Sequence, residues 1–524
     1  MDHNLKKVLF IVCCIATAVR LAALYTVSGS ALEAYNLLPG LDMETLMRFS
    51  DWTSDHPDST PMFVLHRFML FFSRCVNGGS YNLTLIHAIQ ALFGVLASCA
   101  AAFGAYLLCK KNYIALAAGA FYALYGPVLL YESVALQESI LVHTLTIAIA
   151  LYLKYIEDTQ KNISWGIVSG IILGLNSAGR PATAFAAIVL ALYPFWLCRK
   201  DKRLFPRTVT LCAVVSIWVI AALFNGYFRH NFSPFFNVMP HLIEVHTPAS
   251  PAVETAAATS ALASYARVVI AALKGIPHLL GVREIPENLD YCLLAKKYPL
   301  FMLGPVWLIP AAMAGAISLA LLKRRKFLPL YLTFAALLLP LASRCPIGRY
   351  RLMLIPLFVW FAAAFINELV DNKEKRLALF AILIGVFGCN LLDTPFERPN
   401  PAAHHTYALA CIKTNNKAEA RKELKAAWET SQFTYAPSGL LLILQHLNDK
   451  DFATAESIIL QNRSGAVHFQ YYLALIRTSQ NRLQEALELL DTIKDTKSLG
   501  ELYPKYLKLR EFLTHQLAKT AKNN

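Results

Sequence analysis

Charge is scarce in this 524-residue chain. Asp, Glu, Lys and Arg supply 16% of it, against about a quarter of an ordinary soluble domain. A chain this poor in charge and rich in apolar residues is not disordered, and it argues against a conventional cytosolic enzyme. Acid is the scarcer sign, with 34 Asp and Glu against 49 Lys and Arg, a net charge of +15. Among 11 cysteines there is no Cys-x-x-Cys and no zinc-type spacing, so the sequence offers no thiolate metal site. What remains is apolar: 56% of residues and a mean hydropathy of +0.44. Most of the chain is made to sit in lipid. There, an excess of Lys and Arg reads as cytoplasmic loops facing anionic lipid rather than as a nucleic-acid surface, and no nucleic-acid partner is expected.

Runs of about 20 apolar residues can cross a bilayer as helices. Eleven runs are predicted as spans: 8–27, 85–109, 113–130, 134–153, 163–179, 182–197, 209–225, 300–322, 327–342, 352–370 and 377–392. The expected fold class is therefore all-α, a polytopic membrane helix bundle over 1–392. The first run passes beyond a cleavage-like Ala16-Thr17-Ala18 and reads as a retained anchor. Lys and Arg gather around 6–7, 110–111, 154–161, 199–207, 323–326 and 373–376. The positive-inside rule places those segments and the N-terminus in the cytoplasm. With an odd number of spans, 28–84, 226–299 and 393–524 face the exterior. Cys75, Cys292, Cys345 and Cys411 are then exterior and able to pair.

After about residue 400 the apolar runs shorten. Asn416-Lys417-Ala418-Glu419-Ala420, Asp451-Phe452-Ala453-Thr454-Ala455 and Asn481-Arg482-Leu483-Gln484-Glu485-Ala486 are alike, each preceded by an apolar stretch. A period near 34 residues with a small residue opening the second helix resembles a tetratricopeptide array over 393–524. Such arrays are binding or spacer surfaces, so a protein partner is expected there and no chemistry. An irregular helical bundle is the alternative.

Ionisable groups beside spans are functional candidates. Asp42, followed by Glu44, Asp51, Asp55, His56 and Asp58, lies just past the first span. A carboxylate there can take a proton from a hydroxyl, or be a solvated loop acid. Glu132 and Glu138 flank the exterior turn between spans three and four, where a helix dipole alone also accounts for an acid at the helix start. Arg180, in the Gly179-Arg180-Pro181 break, and Arg344, Arg349 and Arg351 stand against the positive-inside trend. Guanidinium binds phosphate in a two-pronged fashion; snorkelling from helix ends is the other explanation. Arg20 lies inside the first span, and Glu284-Ile285-Pro286-Glu287-Asn288 sits in the second large exterior loop. Exterior acids beside exterior arginines suit transfer from a lipid-phosphate donor, which cannot leave the bilayer.

In order and sidedness these motifs resemble the polytopic GT-C glycosyltransferases that use lipid-phosphate sugars, in particular the bacterial group related to protein O-mannosyltransferases and aminoarabinose transferases. The resemblance runs over about 8–370. It comprises Asp42, then Pro61-Met62-Phe63 before a membrane-parallel helix at 62–78, Gln90, the Tyr131-Glu132 to Glu138 turn, Arg180-Pro181, Glu284-Ile285-Pro286 with Asn288, and Arg349-Tyr350-Arg351 before Pro356. Thr60-Pro61-Met62 stands where better-known branches carry Lys-Pro-Pro or His-Pro-Pro. The resemblance implies an inverting transfer to a protein, lipid or glycan hydroxyl at the outer face of a bacterial inner membrane. Asp42 would be the general base. Glu132, Glu138, Arg180, Glu284, Asn288, Arg349 and Arg351 would be substrate-binding, the arginines holding the departing phosphate and Glu132 and Glu138 positioning the sugar or the base. Phosphate is already a good leaving group, so no metal is obligatory, and His56 is the side chain nearest to offering one. Two rivals stand beside this reading. One is an O-antigen ligase or polymerase using His230, His241 or His246; the other is a transporter or scaffold without chemistry.

Overall fold

The computed structural model describes residues 3–39, 41–48, 64–157, 163–198, 289–302, 304–344, 348–392 and 400–523, together with a few positions between 215 and 280. Among these residues all regular secondary structure is helical. The chain divides into two compact units, Met1–Pro395 and Phe396–Asn524.

The first unit holds α1 (His3–Val27), α2 (Ala31–Ala34), α3 (Asp42–Arg48), α4 (Val64–Val76), α5 (Leu83–Cys109), α6 (Asn112–Leu124), α7 (Gly126–Glu132), α8 (Gln137–Glu157), α9 (Ser164–Gly179) and α10 (Pro181–Cys198). It continues with α11 (Tyr291–Lys297), α12 (Pro305–Leu321), α13 (Leu328–Arg344), α14 (Gly348–Arg351), α15 (Ile355–Asp371) and α16 (Arg376–Leu392). Five described helical stretches, His3–Val27, Leu83–Cys109, Gln137–Glu157, Arg325–Ser343 and Arg349–Asp371, are long and apolar enough to cross a membrane, and six if α6 and α7 form one span. This is a multi-pass membrane protein. The expected span at 209–225 lies outside the described residues, as do Glu284, Asn288 and His56. The third span differs from its expectation. It bends by 49° between α6 and α7, where Gly126 packs on the Phe301 carbonyl and Pro127 restarts the helix.

Lipid gives helices no hydrophobic reason to associate, so close approach through small residues has to supply the packing. Helix α5 does this, burying Gly94, Ala97, Ala101, Ala102, Gly104 and Ala105 against α1, α6, α8 and α15. Gly104 makes room for the Trp360 indole, whose Nε1 donates to the Ala101 carbonyl at 3.0 Å.

The basic ends converge. Lys110 pairs with Glu157, Lys111 with Asp371 and Arg324 with Glu368, while Lys326 donates to the Leu108 carbonyl at 2.6 Å. These residues mark one end of the bundle. Helices α5, α8 and α15 begin at the other end.

The second unit is three helical hairpins and a last helix: α17 (Pro401–Lys413) with α18 (Lys417–Thr430), α19 (Ala436–Asn448) with α20 (Phe452–Gln461), α21 (His468–Ser479) with α22 (Leu483–Asp491), and α23 (Tyr503–Asn523). The hairpins share one turn. Asn415, Lys450 and Asn481 all take positive φ, near 60°. The next residue in each case donates its backbone N–H to a carbonyl five positions back: Asn416 to Cys411, Asp451 to His446 and Arg482 to Arg477. Ala420, Ala455 and Ala486 are fully buried, since only a small side chain lets the two helices of a hairpin meet there. Among the expected cysteine partners, Cys75 is a free thiol; Cys345 lies outside the described residues.

Candidate active site

The turn between α7 and α8 anchors the end opposite the lysines. Its backbone is held by two buried amides. Gln90 of α5 donates from Nε2 to the carbonyls of Val134 (3.1 Å) and Leu136 (3.2 Å) and to Ser139 Oγ (2.8 Å). Asn36, from the segment after α1, accepts the Ala135 N–H at 2.6 Å. Asn36 also stands six residues before Asp42, so one clamp sets both the first-loop acid and the helix that carries Glu138.

Glu138 lies in the first turn of α8, where the helix dipole favours an anion. It is fully buried and pairs with Arg180. Arg180 is extended (φ −145°, ψ 111°) between α9 and α10, as a residue before proline must be. Across the site, α14 brings in Arg349. Its guanidinium pairs with Asp42 at the start of α3 and stands 3.9 Å from Glu138. Tyr350 lies between the two arginines, its ring 4.9 Å from the Arg180 guanidinium carbon and 5.1 Å from that of Arg349. Cation–π contact with one face-rich ring fixes both cations without neutralising them. Asp42 is 41% exposed, whereas Glu138 is 1% exposed. Tyr81 holds α3 in place by donating to the Met47 carbonyl, and Met43, Leu46 and Met47 are buried under it.

Asp42, Glu138, Arg180 and Arg349 thus meet. Arg351 is buried two residues beyond Arg349. Glu132 goes elsewhere. It turns into the bundle, where Arg20 donates to it at 2.7 Å and His143 Nε2 stands 3.0 Å away. His143 Nδ1 is 3.0 Å from the Tyr122 hydroxyl, which accepts from Thr146 at 3.1 Å. All five side chains are buried. Gly94 is required here, because a Cβ would collide with Arg20 Nε and Glu132 Oε1. In the structure Glu132 belongs to an interior ion pair joining α1 to the end of α7.

One further residue escaped the sequence reading. His66 of α4 is fully buried. Burial pushes its pKa down to about 4, against a smaller opposing pull from Glu138, so the ring is neutral at ordinary pH. Among the described residues no group of three His, Cys, Asp or Glu is placed to hold a metal ion.

No family model and no curated protein matches the chain. Among solved structures it is similar to the oligosaccharyltransferase AglB from Archaeoglobus fulgidus, in complex with an inhibitory peptide and a dolichol-phosphate. The identity is 16%, the TM-score 0.42, and the match covers 79% of this chain and 56% of that one. It is also similar to ArnT from Cupriavidus metallidurans bound to undecaprenyl phosphate, at 15% identity and a TM-score of 0.37, over 92% of this chain and 80% of that one. The chain spans just over half the length of the archaeal enzyme.

Proposed function

We propose that this chain is a membrane glycosyltransferase. It moves a sugar from a polyprenyl-phosphate donor to an acceptor hydroxyl, with inversion, at the outer face of a bacterial inner membrane. The observation that carries this reading is the pairing of Asp42 with Arg349, whose guanidinium shares Glu138 and the Tyr350 ring with Arg180, at the bundle end opposite the lysine-rich one. An acid and paired phosphate-binding cations where a lipid headgroup lies suit that reaction and few others.

In the step itself the acceptor oxygen attacks the anomeric carbon on the face opposite the phosphate. Its proton passes to an Asp42 carboxylate oxygen. The bond from the anomeric carbon to the phosphate oxygen breaks, and its electron pair stays on that oxygen. The leaving phosphate gains negative charge as the bond breaks, so fixed guanidiniums at Arg180 and Arg349 hold the transition state more tightly than the bound donor. Glu138 keeps both guanidiniums oriented. Glu284 and Asn288 complete the donor site in this reading, Arg351 supports it, and no metal is required. The N-terminus is cytoplasmic. The residues from 393 onward form an exterior tetratricopeptide-like unit that presents a surface to a protein partner.

The test is product analysis. Purified protein in nanodiscs is given polyprenyl-phosphate donors carrying different labelled sugars, with membrane extract as acceptor. Free polyprenyl phosphate released together with label transfer supports the reading. Intact donor across the whole panel, with folded protein, contradicts it.

A further inference from the structure

The proposed base does not stand free. Arg349 holds Asp42 in an ion pair, and a carboxylate engaged by a guanidinium is not open to an incoming acceptor hydroxyl. Resting geometry and proposed chemistry therefore conflict, and the arrangement itself shows how the conflict resolves.

Two arginines face two carboxylates, so the four side chains are neutral together. The carboxylates are not equivalent. Glu138 is 1% exposed and has a second cation in Arg180. Removing it from both would leave a buried charge unpaired, which is costly. Asp42 is 41% exposed, so on release it regains water at little cost. A phosphate arriving between Arg180 and Arg349 has to displace one carboxylate, and Asp42 is the one that can go. Tyr350, stacked near both guanidinium carbons, keeps the two cations in place while their partner changes.

We infer that Asp42 is the resting occupant of a phosphate-ester site formed by Arg180, Tyr350 and Arg349, and that donor phosphate frees it to act as base. This rests on the transfer reading above and deepens it. Donor binding precedes base activation, so the acid is not an active base until a lipid phosphate is seated. When Asp42 later takes the acceptor proton it becomes neutral, and its claim on Arg349 ends as the charge on the leaving phosphate grows.

The inference has an unusual signature: removing the carboxylate strengthens phosphate binding. Undecaprenyl phosphate is titrated into nanodisc-held wild type, Asp42→Asn and Asp42→Ala, with binding followed by native mass spectrometry. Helicity and melting are compared to show that each variant is folded. Both variants are expected to bind about fivefold or more tightly than wild type, and Arg349→Gln to lose most binding. Equal or weaker binding by both Asp42 variants overturns the inference. Inorganic phosphate is added as competitor. If it displaces the lipid, the headgroup alone makes the contact; if tightening persists undisturbed, the contact needs the lipid. The two proposals fail separately. Unchanged binding with lost turnover in Asp42→Asn sinks the exchange and leaves the transfer standing. Tightened binding by the Asp42 variants, together with a wild type that releases no polyprenyl phosphate from any donor, sinks the transfer and leaves the exchange.

Discussion

Arg349 stands 3.9 Å from Glu138 while its guanidinium is paired with Asp42. One cation thus links a carboxylate locked in the bundle to one that faces outward. That relationship makes the two acids unequal in kind, although the sequence shows two glutamate- or aspartate-bearing turns of similar standing.

Arg180 is predicted to matter twice. Arg180→Gln leaves the buried Glu138 with only the more distant Arg349, so it is expected to destabilise the first unit by about 3 kcal/mol. It should also weaken polyprenyl phosphate binding. Thermal unfolding in detergent and lipid titration read the two effects. Arg180→Lys keeps the charge but not the fork, and is expected to restore stability more than binding.

The interior pair should behave as buried ion pairs do. Arg20→Met strands Glu132 with only His143 beside it, an expected loss of about 3 kcal/mol. Arg20→Met combined with Glu132→Met is expected to recover most of it, because two apolar side chains need no partner. A double-mutant cycle in thermal unfolding measures this. Losses that simply add would show that the pair is not coupled.

The hairpin unit makes a prediction in pH. Hydrogen bonds from Arg477, one of them 2.8 Å long, hold the Glu456 carboxylate below its ordinary value of 4.5. An acid with a lowered folded pKa adds stability that is complete above 4.5 and is lost as the pH falls through the lower folded value. The pair is partly exposed, so the effect is a fraction of a kcal/mol after screening. Hydrogen exchange in 452–461 and 468–479 is expected to accelerate over that window in wild type and to respond less in Glu456→Gln.

His66 acts in the same direction over a higher pH window. It resists protonation down to about 4, while an unfolded chain takes the proton near 6.5. Stability of the first unit is therefore expected to decline as the pH falls from 6.5 toward 4, and His66→Gln to flatten that decline. Melting temperature against pH checks it.

Much of the site was legible because charge is rare in an apolar chain. Asp42, Glu138, Arg180 and Arg349 stand out for that reason, and the structure brings them together. Glu132 could not be assigned from spacing. Its partner Arg20 is 112 positions away, and nothing local tells an acid at the end of a helix to turn inward. His143, Tyr122 and Thr146 looked like ordinary residues of apolar helices. Asn36 carried no signal, since its importance lies in a backbone N–H on another turn. The hairpins were readable through alanine because small residues recur wherever helices must touch. The bend at Tyr125-Gly126-Pro127 was written in proline and glycine, but inside an apolar run that spans a membrane either way.

The most direct test of the central claim is a single-turnover measurement with the native donor, comparing wild type with Asp42→Asn. The account predicts that Asp42→Asn binds donor at least as tightly yet transfers sugar at least about a hundredfold more slowly, the scale of a lost general base. Transfer by Asp42→Asn within a fewfold of wild type would contradict it.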